Sequence, residues 1–175
     1  KIPSAPIDKD TGDLKVESTF EWLSSKPVGD MIFNFAYEIK EMGNLGFIAR
    51  HYAAFSGTIN LELMAFSSKL HQGRVAIVVQ HEPGEGQGRV TLSALSRVNY
   101  HVLDLTSQSS ITVKIPYMWP SWMREVNEEN YIRVFVVVLN RLATSSVAVN
   151  KIKFLIRFSA GDDFRYHFPA EDSIV

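Results

Sequence analysis

The sequence predicts an all-β protein, an eight-stranded antiparallel jelly-roll β-sandwich with one or two short helices. Three observations predict this fold. Several stretches alternate apolar and polar residues with period two, which a half-buried strand requires because successive side chains point to opposite faces of the sheet. Other short runs are mostly β-branched, and the loops carry Gly, Pro, Ser and Asn without regular helices. Eight strands in two facing sheets is the jelly-roll count, although a Greek-key lectin or an immunoglobulin-like sandwich would give a similar pattern.

The first four predicted strands span residues 29–37, 38–42, 55–66 and 74–80. The first is compact and rich in aromatic residues, and the second is short. The third alternates clearly, with Ile59, Leu61 and Leu63 on one face and polar residues between them. The fourth, RVAIVVQ, is a continuous apolar run typical of a strand that is buried on both faces.

The other four predicted strands span residues 98–105, 110–116, 131–139 and 149–158. The first two alternate, and the third, YIRVFVVVL, is a second run of the doubly buried type. In the last strand, Ile152, Phe154 and Ile156 share one face, whereas Lys151 and Lys153 lie on the other. Such a pattern indicates one face in the core and one in solvent.

Two short helices are predicted between the strands. One spans residues 44–51 with Asn44 as its N-cap, because a side-chain oxygen there can accept a free backbone N–H of the first turn. The other lies within residues 90–96. With 175 residues, the chain is predicted to form a single domain. We assign its parts as an extended N-terminal arm at 1–19, the jelly-roll domain at 20–169 and a C-terminal tail at 170–175.

Charge and composition exclude several classes of protein. The chain carries 18 Lys and Arg against 19 Asp and Glu, so it lacks the clustered basic excess of a nucleic-acid-binding domain. It contains no Cys, which excludes disulfides, thiolate metal sites and a Cys nucleophile. No run of about 18 apolar residues occurs, so no membrane span is predicted.

The histidines predict neither a metal site nor a site for another cofactor. Metal sites built on His usually need close spacing such as His-x-His or His-Glu-x-x-His, and neither spacing is present. His71 and His81 flank one predicted strand, so they are expected at its opposite ends, too far apart to share an ion. The five histidines are His51, His71, His81, His101 and His167.

Three motifs, in a fixed order, resemble a known family. Residues 55–75 contain Phe-Ser-Gly before one strand and a His-x-Gly-Arg-Val step into the next. Residues 114–117 (KIPY) close a later strand, and residues 161–164 (GDDF) follow the last one. Together they resemble the major capsid proteins of picorna-like viruses (Picornavirales), with the insect dicistrovirus and iflavirus groups and the marine RNA viruses as the most similar groups.

This resemblance implies a structural protein rather than an enzyme. The chain would assemble with the other major capsid subunits and with copies of itself into an icosahedral shell around a positive-strand RNA genome. Genomic RNA and a host receptor are further partners that the resemblance leaves open. It implies a place in the virion, with assembly in the host cytoplasm.

Trp119, Trp122 and Met123 lie together in a Pro-flanked loop. Aromatic residues and Met are favoured in subunit interfaces, so this loop is a candidate interface. The alternative is that these side chains cap one end of the sandwich, and the sequence does not decide between the two.

Asp162, Asp163 and Phe164 are the candidates for chemistry. Adjacent carboxylates in a partly buried site can have one raised pKa, which would suit general acid–base work on a peptide bond. The resemblance implies that this motif acts once, in a maturation cleavage of the capsid. The alternative is a turn in which the Asp side chains accept backbone N–H groups and Phe164 plugs the core.

Two other functions fit a β-sandwich. A lectin-like binding module would recognise glycan through exposed aromatic residues, with Trp119 and Trp122 as the candidates. A jelly-roll enzyme would need a metal signature that the histidine spacing does not provide.

Overall fold

The computed structural model describes residues 19–81, 92–128, 131–145 and 148–170. All of the predicted arm except Thr19, and all of the predicted tail except Ala170, lie outside these ranges. The elements in chain order are β1 Thr19–Leu23, β2 Met31–Tyr37, a 3-10 helix Ile39–Glu41, α1 Asn44–Ala49, β3 Tyr52–Ser56, β4 Ile59–Phe66, β5 His71–His81, α2 Leu92–Leu95, β6 Tyr100–Asp104, β7 Ser110–Ile115, β8 Arg124–Glu125, β9 Ile132–Thr144, β10 Lys151–Ala160 and β11 Arg165–Pro169.

Eight of these strands form two four-stranded sheets, with the orders β1-β10-β4-β7 and β2-β9-β5-β6. All pairs within them are antiparallel. The prediction of an eight-stranded antiparallel jelly roll is therefore confirmed for the two main sheets. Three further short strands form a separate sheet, in the order β11-β3-β8.

The core between the two main sheets is built from the inward faces of the alternating strands. Phe20 of β1 and Phe154 of β10 are register partners, and their rings stack with centroids 4.9 Å apart. The ring of Phe20 also stacks on Phe33 of β2, at 4.5 Å, and so joins one sheet to the other. Offset stacking of this kind adds to the free energy of apolar burial.

The strand predicted from the run at 131–139 is buried on both faces. Val134 and Val136 of β9 point into the main core, whereas Phe135 and Val137 point outward. The outward residues are fully buried as well, because Leu95 of α2 belongs to the same apolar cluster on the outside of the sheet. This second layer explains why the run has no polar face.

The predicted strand at 55–66 is wrong in one respect, because it is two strands in different sheets. Gly57 interrupts it with φ +97°, a conformation that side-chain-bearing residues rarely adopt. A Cβ atom built on Gly57 would lie 2.4 Å from the carbonyl oxygen of Asp163, so the chain also needs a glycine there for space. β3 thus turns away from β4 and joins β11 and β8.

Two local predictions near residue 40 are also wrong. The short strand predicted at 38–42 is a 3-10 helix, in which the Glu38 N–H donates to Glu41 Oε2 at 3.0 Å. That bond satisfies one of the free donors at the start of the helix. Asn44 is not the N-cap of α1 but its first residue, and Gly43 holds the cap position with φ 56°. The predicted helix within residues 90–96 is present as α2.

The sandwich has two different ends. We call the end that carries the connections 24–30, 67–70, 105–109 and 145–150 the turn end; of the last connection, the structure describes residues 145 and 148–150. At the opposite end, β3, β8 and β11 close the sandwich, together with the segments 116–123 and 161–164. We call this the capped end.

Candidate functional site

Both groups of predicted site residues lie at the capped end. Residues 119–123 lead directly into β8, and residues 162–164 lead directly into β11. Because β3 lies between β8 and β11 in one sheet, the fold brings the two segments to the same end of the molecule. They are far apart in sequence, and the three-stranded sheet is what brings them to the same end.

Trp122 presents a large apolar surface to solvent. It is 65% exposed, although its ring contacts His167 and Phe168 of β11 edge-on, with centroids 5.1 and 6.4 Å away. Phe168 is 56% exposed and is, among the described residues, the only non-glycine with positive φ, at 54°. An aromatic residue in that conformation is unusual and costs free energy. The backbone here holds an aromatic ring beside Trp122 rather than inside the core.

Trp119 has a different environment from Trp122. The guanidinium of Arg124 lies over its ring, 4.1 Å from the centroid, and also 5.3 Å from the ring centroid of Tyr131. Arg124 is buried, and its Nε lies 2.8 Å from a carboxylate oxygen of Glu128. Trp119 thus packs on the fold itself, a contact that the end-capping alternative for this loop would also give.

Met123 is half-buried, and its carbonyl oxygen accepts a hydrogen bond from the Ser121 hydroxyl. Burial raises the pKa of the Tyr131 phenol, whose ring lies by the Arg124 guanidinium, to about 12, so this hydroxyl stays protonated. The exposed large apolar side chains of the segment 116–123 are Met118, at 64%, and Trp122, at 65%. Whether Trp119, Trp122 and Met123 contact another subunit stays a prediction.

Asp163 is bound to Thr58 by both carboxylate oxygens. The backbone N–H of Thr58 donates to Oδ1 at 3.0 Å, and the Thr58 hydroxyl donates to Oδ2 at 3.1 Å. The N–H bond and then the hydroxyl bond hold the pKa of Asp163 below its usual value. The lowered pKa keeps this carboxyl group ionised near neutral pH, where it cannot donate a proton.

Asp162 is exposed, and its carboxylate makes no hydrogen bond or ion pair with a residue in the described part of the chain. It lines a polar pocket of about 280 Å³ together with Asp163, Asn60 and Lys114. Phe164 is buried and packs against Phe55 and Tyr166, with ring centroids 6.1 and 4.9 Å away. The contacts of Asp163 and Phe164 are thus those expected of a turn. The turn gives the Asp162 carboxylate no hydrogen-bonding role among the described residues.

The sequence did not predict the pair formed by Ser56 and His167. The Ser56 Oγ and His167 Nε2 atoms lie 2.7 Å apart. The two residues lie diagonally on the paired strands β3 and β11, because the direct partner of His167 is Ala54. The two residues are distant in the chain, and only the alternation in the short segment RYHFP could have indicated β11. His71 and His81 lie at opposite ends of β5, as predicted. In the described ranges, no three His, Asp or Glu side chains form a group that could hold a metal ion.

Known viral capsid proteins share the sequence pattern and the fold of this chain. The model of the picornavirus capsid protein family matches residues 5–142. The chain belongs to this family. The picorna-like capsid resemblance of the sequence motifs is thereby confirmed, and the capsid subunit is favoured over the lectin-like module and the jelly-roll enzyme.

The capsid chain is 22% identical over its whole length to part of the genome polyprotein of Ljunganvirus 1, of which it spans 8%. It is 26% identical over 149 residues, 85% of this chain, to 7% of the genome polyprotein of Human parechovirus 5 (strain CT86-6760). The chain thus spans less than a tenth of the length of these curated relatives.

A solved structure of sacbrood virus of honeybee shares the fold. It superposes with a TM-score of 0.78 and 18% identity, over 91% of this chain and 71% of that chain. The family is one of structural proteins, which assigns this chain a structural place in the virion. Among the helices of the described residues, none has the length and apolar character to cross a membrane.

Proposed function

We propose that the chain assembles with other jelly-roll capsid subunits, and with copies of itself, into an icosahedral shell that encloses a positive-strand RNA genome. The family and the fold support this proposal, and the exposed Trp122 is the observation that carries it. Assembly in the host cytoplasm and a host receptor as partner stay predictions that rest on the family resemblance alone.

Trp122 fits a subunit contact because its neighbours extend its apolar surface. The exposed ring of Phe168 lies beside it, and the half-buried ring of His167 contacts it edge-on. Large aromatic side chains in such positions are typical anchors of protein interfaces, where burial in a partner pocket contributes most of the binding free energy. In an isolated subunit the same rings would stay in water.

The test is Trp122→Ala in the chain co-expressed with the other capsid subunits of its virus. We expect the variant subunit to fold, since Trp122 is 65% exposed, but to yield few or no shells by gradient sedimentation and negative-stain microscopy. Loss of one interface anchor costs about 2 kcal/mol or more per contact, and the effect repeats around a symmetric shell.

The matched control is Thr112→Ala, an exposed polar position on β7, which should assemble like the wild type. Normal shells from Trp122→Ala would contradict the interface role of this residue. A wild-type chain that stays monomeric beside its partner subunits would contradict the assembly itself.

We propose that RNA is enclosed by the shell rather than bound by a basic surface of this chain. The net charge is −1. Two of the basic residues on the outer face of β10 are already paired, Lys151 with Glu21 at 3.0 Å and Arg157 with Glu62 at 2.6 Å. A strong, salt-dependent affinity of the isolated chain for single-stranded RNA would contradict this proposal.

For the maturation cleavage, we propose that Asp162 is the reactive carboxylate and Asp163 positions the turn. Asp162 would take a proton from a water molecule as its oxygen adds to the peptide carbonyl carbon, and would then pass a proton to the leaving nitrogen as the C–N bond breaks. Two observations support this division: the Asp162 carboxylate bonds to none of the described residues, and Thr58 donates two hydrogen bonds to Asp163.

The test compares Asp162→Asn, Asp163→Asn and Thr58→Val in assembled particles by gel analysis of precursor cleavage. We expect Asp162→Asn to abolish cleavage in particles of normal shape, and Thr58→Val to slow it. Cleavage at the wild-type rate in both Asp variants would remove the catalytic role. Loss of cleavage in Asp163→Asn alone would reverse the assignment.

A further inference from the structure

His71 lies at the turn end, away from both groups of predicted site residues. It is the buried one of the five histidines, at 7% exposed, and it begins β5. Its two ring nitrogens bond to two different connections. Nδ1 faces Ser68 of the 67–70 turn, and Nε2 lies 2.9 Å from the carbonyl oxygen of Val149 in the 145–150 connection.

The partners of the ring fix its protonation state. The backbone N–H of Ser68 can only donate, and it lies 3.1 Å from Nδ1, which must therefore carry a lone pair. The carbonyl oxygen of Val149 can only accept, so Nε2 must carry the proton. The geometry thus requires the neutral ring in its Nε2–H tautomer. The Ser68 hydroxyl, 2.9 Å from Nδ1, can donate to the same lone pair.

A proton added to Nδ1 would oppose this arrangement. The Ser68 hydroxyl can rotate to accept from it, but the Ser68 amide cannot, so two donors would face each other. The imidazolium would also be a buried charge, and no carboxylate forms an ion pair with it among the described residues. A buried, unpaired charge is costly unless the group moves into water.

The charged groups on the segments around the ring would not compensate this cost. Most of them are cations, and the two carboxylates are already paired, Glu21 with Lys151 at 3.0 Å and Asp30 with Lys26 at 3.3 Å. The charged residues on these segments are Glu21 on β1, Lys26 and Asp30 in the 24–30 connection, Lys69 in the 67–70 turn, Arg74 on β5, Arg141 on β9, and Lys151 and Lys153 on β10.

We propose that His71 is an acid-sensitive latch of the turn end. The neutral ring ties the 67–70 turn to the 145–150 connection. Protonation expels the ring from its site, breaks both bonds and loosens the 67–70 turn together with residues 148–150. The 24–30 connection follows, because the Ser24 N–H donates to the Asn150 carbonyl oxygen at 2.9 Å.

The test is amide hydrogen exchange of the purified chain at about pH 7.5 and about pH 5, the range in which histidine changes its charge. Protection factors corrected for the intrinsic effect of pH are followed at the Ser68 and Ser24 amides. We expect them to fall about tenfold or more at the lower pH, as for the loss of one buried hydrogen bond. Unchanged protection at both amides would overturn the latch.

Two variants assign the effect to His71. His71→Gln keeps an acceptor and a donor on one side chain but does not titrate, so its protection should not depend on pH. His101→Gln, at an exposed position on β6, should behave like the wild type. A fall that persists in His71→Gln, or disappears in His101→Gln, would contradict the proposal. If His71→Gln does not fold, the ¹⁵N shifts of the wild-type ring decide, since an Nδ1–H tautomer at about pH 7.5 would overturn it.

Discussion

At the capped end, the rings of Phe164, Phe55 and Tyr166 pack together, and the backbone of Gly57 passes directly under that of Asp163. At the turn end, hydrogen bonds join described residues of different connections, such as those of His71 to Ser68 and Val149. The long connections of the capped end have enough chain to build a sheet and bury aromatic residues. The shorter ones at the turn end are joined by hydrogen bonds between polar groups, so acid should affect that end and loss of apolar volume the other.

The largest expected effect follows from removing the same aromatic side chain at each end. Phe164→Ala at the capped end should lower the free energy of unfolding by about 3–5 kcal/mol, because it leaves a cavity beside the rings of Phe55 and Tyr166. Phe66→Ala at the turn end should cost about 0.5 kcal/mol or less, because that side chain is 61% exposed. Urea unfolding followed by tryptophan fluorescence measures both. Equal losses would show that the two ends do not differ in packing.

A glycine pair tests the close backbone approach at the capped end. Gly57→Ala should cost about 3 kcal/mol, because the new Cβ adds a clash with the Asp163 carbonyl to the strain of a positive φ. Gly43→Ala introduces strain alone, since nothing lies within 4 Å of its Cβ position, and should cost about 1 kcal/mol. Thermal unfolding of the two variants gives the difference. A smaller loss in Gly57→Ala than in Gly43→Ala would contradict it.

The two tryptophans at the capped end should respond differently. Trp119→Ala removes the ring beneath Arg124 and should lower the free energy of unfolding by about 1–2 kcal/mol. Trp122→Ala should change it by about 0.5 kcal/mol or less and act on assembly instead. Chemical unfolding of the isolated subunits separates the two roles, and a reversed order would exchange the assignments.

The smallest effect concerns one carboxylate at each end. Thr106 and Arg74 lower the pKa of Asp104 to about 2 at the turn end, and Thr58 lowers that of Asp163 at the capped end. A carboxyl group whose pKa is lower in the folded chain stabilises the fold fully above its unfolded pKa, near 4. This stabilisation is lost as the pH falls through the folded pKa.

Asp104→Asn should therefore flatten the loss of stability between about pH 4 and about pH 2, and Asp163→Asn should do so to a lesser extent. Thermal unfolding across this range measures it. Asp162→Asn is the control, because its carboxylate makes no bond to a described residue. If the control flattened the profile as much as Asp104→Asn, the hydrogen bonds to Asp104 would not be the cause of the pH dependence.

The prediction of the fold succeeded where the residues of a strand themselves show the alternation or the apolar run of a buried strand. The alternation of Ile59, Leu61 and Leu63 and the apolar run around Val136 both appear as core strands. It failed where partners distant in sequence decide the structure. No strand is predicted at Thr19–Leu23, yet this segment is the edge strand that pairs with β10.

The candidate site shows the same division. The sequence by itself predicted the loop with Trp119, Trp122 and Met123 and the Asp162–Phe164 motif as candidates, because aromatic residues in a loop and adjacent carboxylates are local features. Only the tertiary structure separated Trp119 from Trp122 and Asp163 from Asp162, since Arg124 and Thr58 come from other segments.

The sequence by itself determined the sandwich. Side-chain alternation fixes which face of each strand is buried, and sheets with one apolar face bury it by packing against each other. The sequence did not determine the capped end or the latch at the turn end. Those depend on hydrogen bonds and ring contacts between residues that only the closed fold brings together, such as His71 with Val149 and Trp122 with Phe168. Such pairs leave no period in the sequence, because each is a single contact between two distant segments.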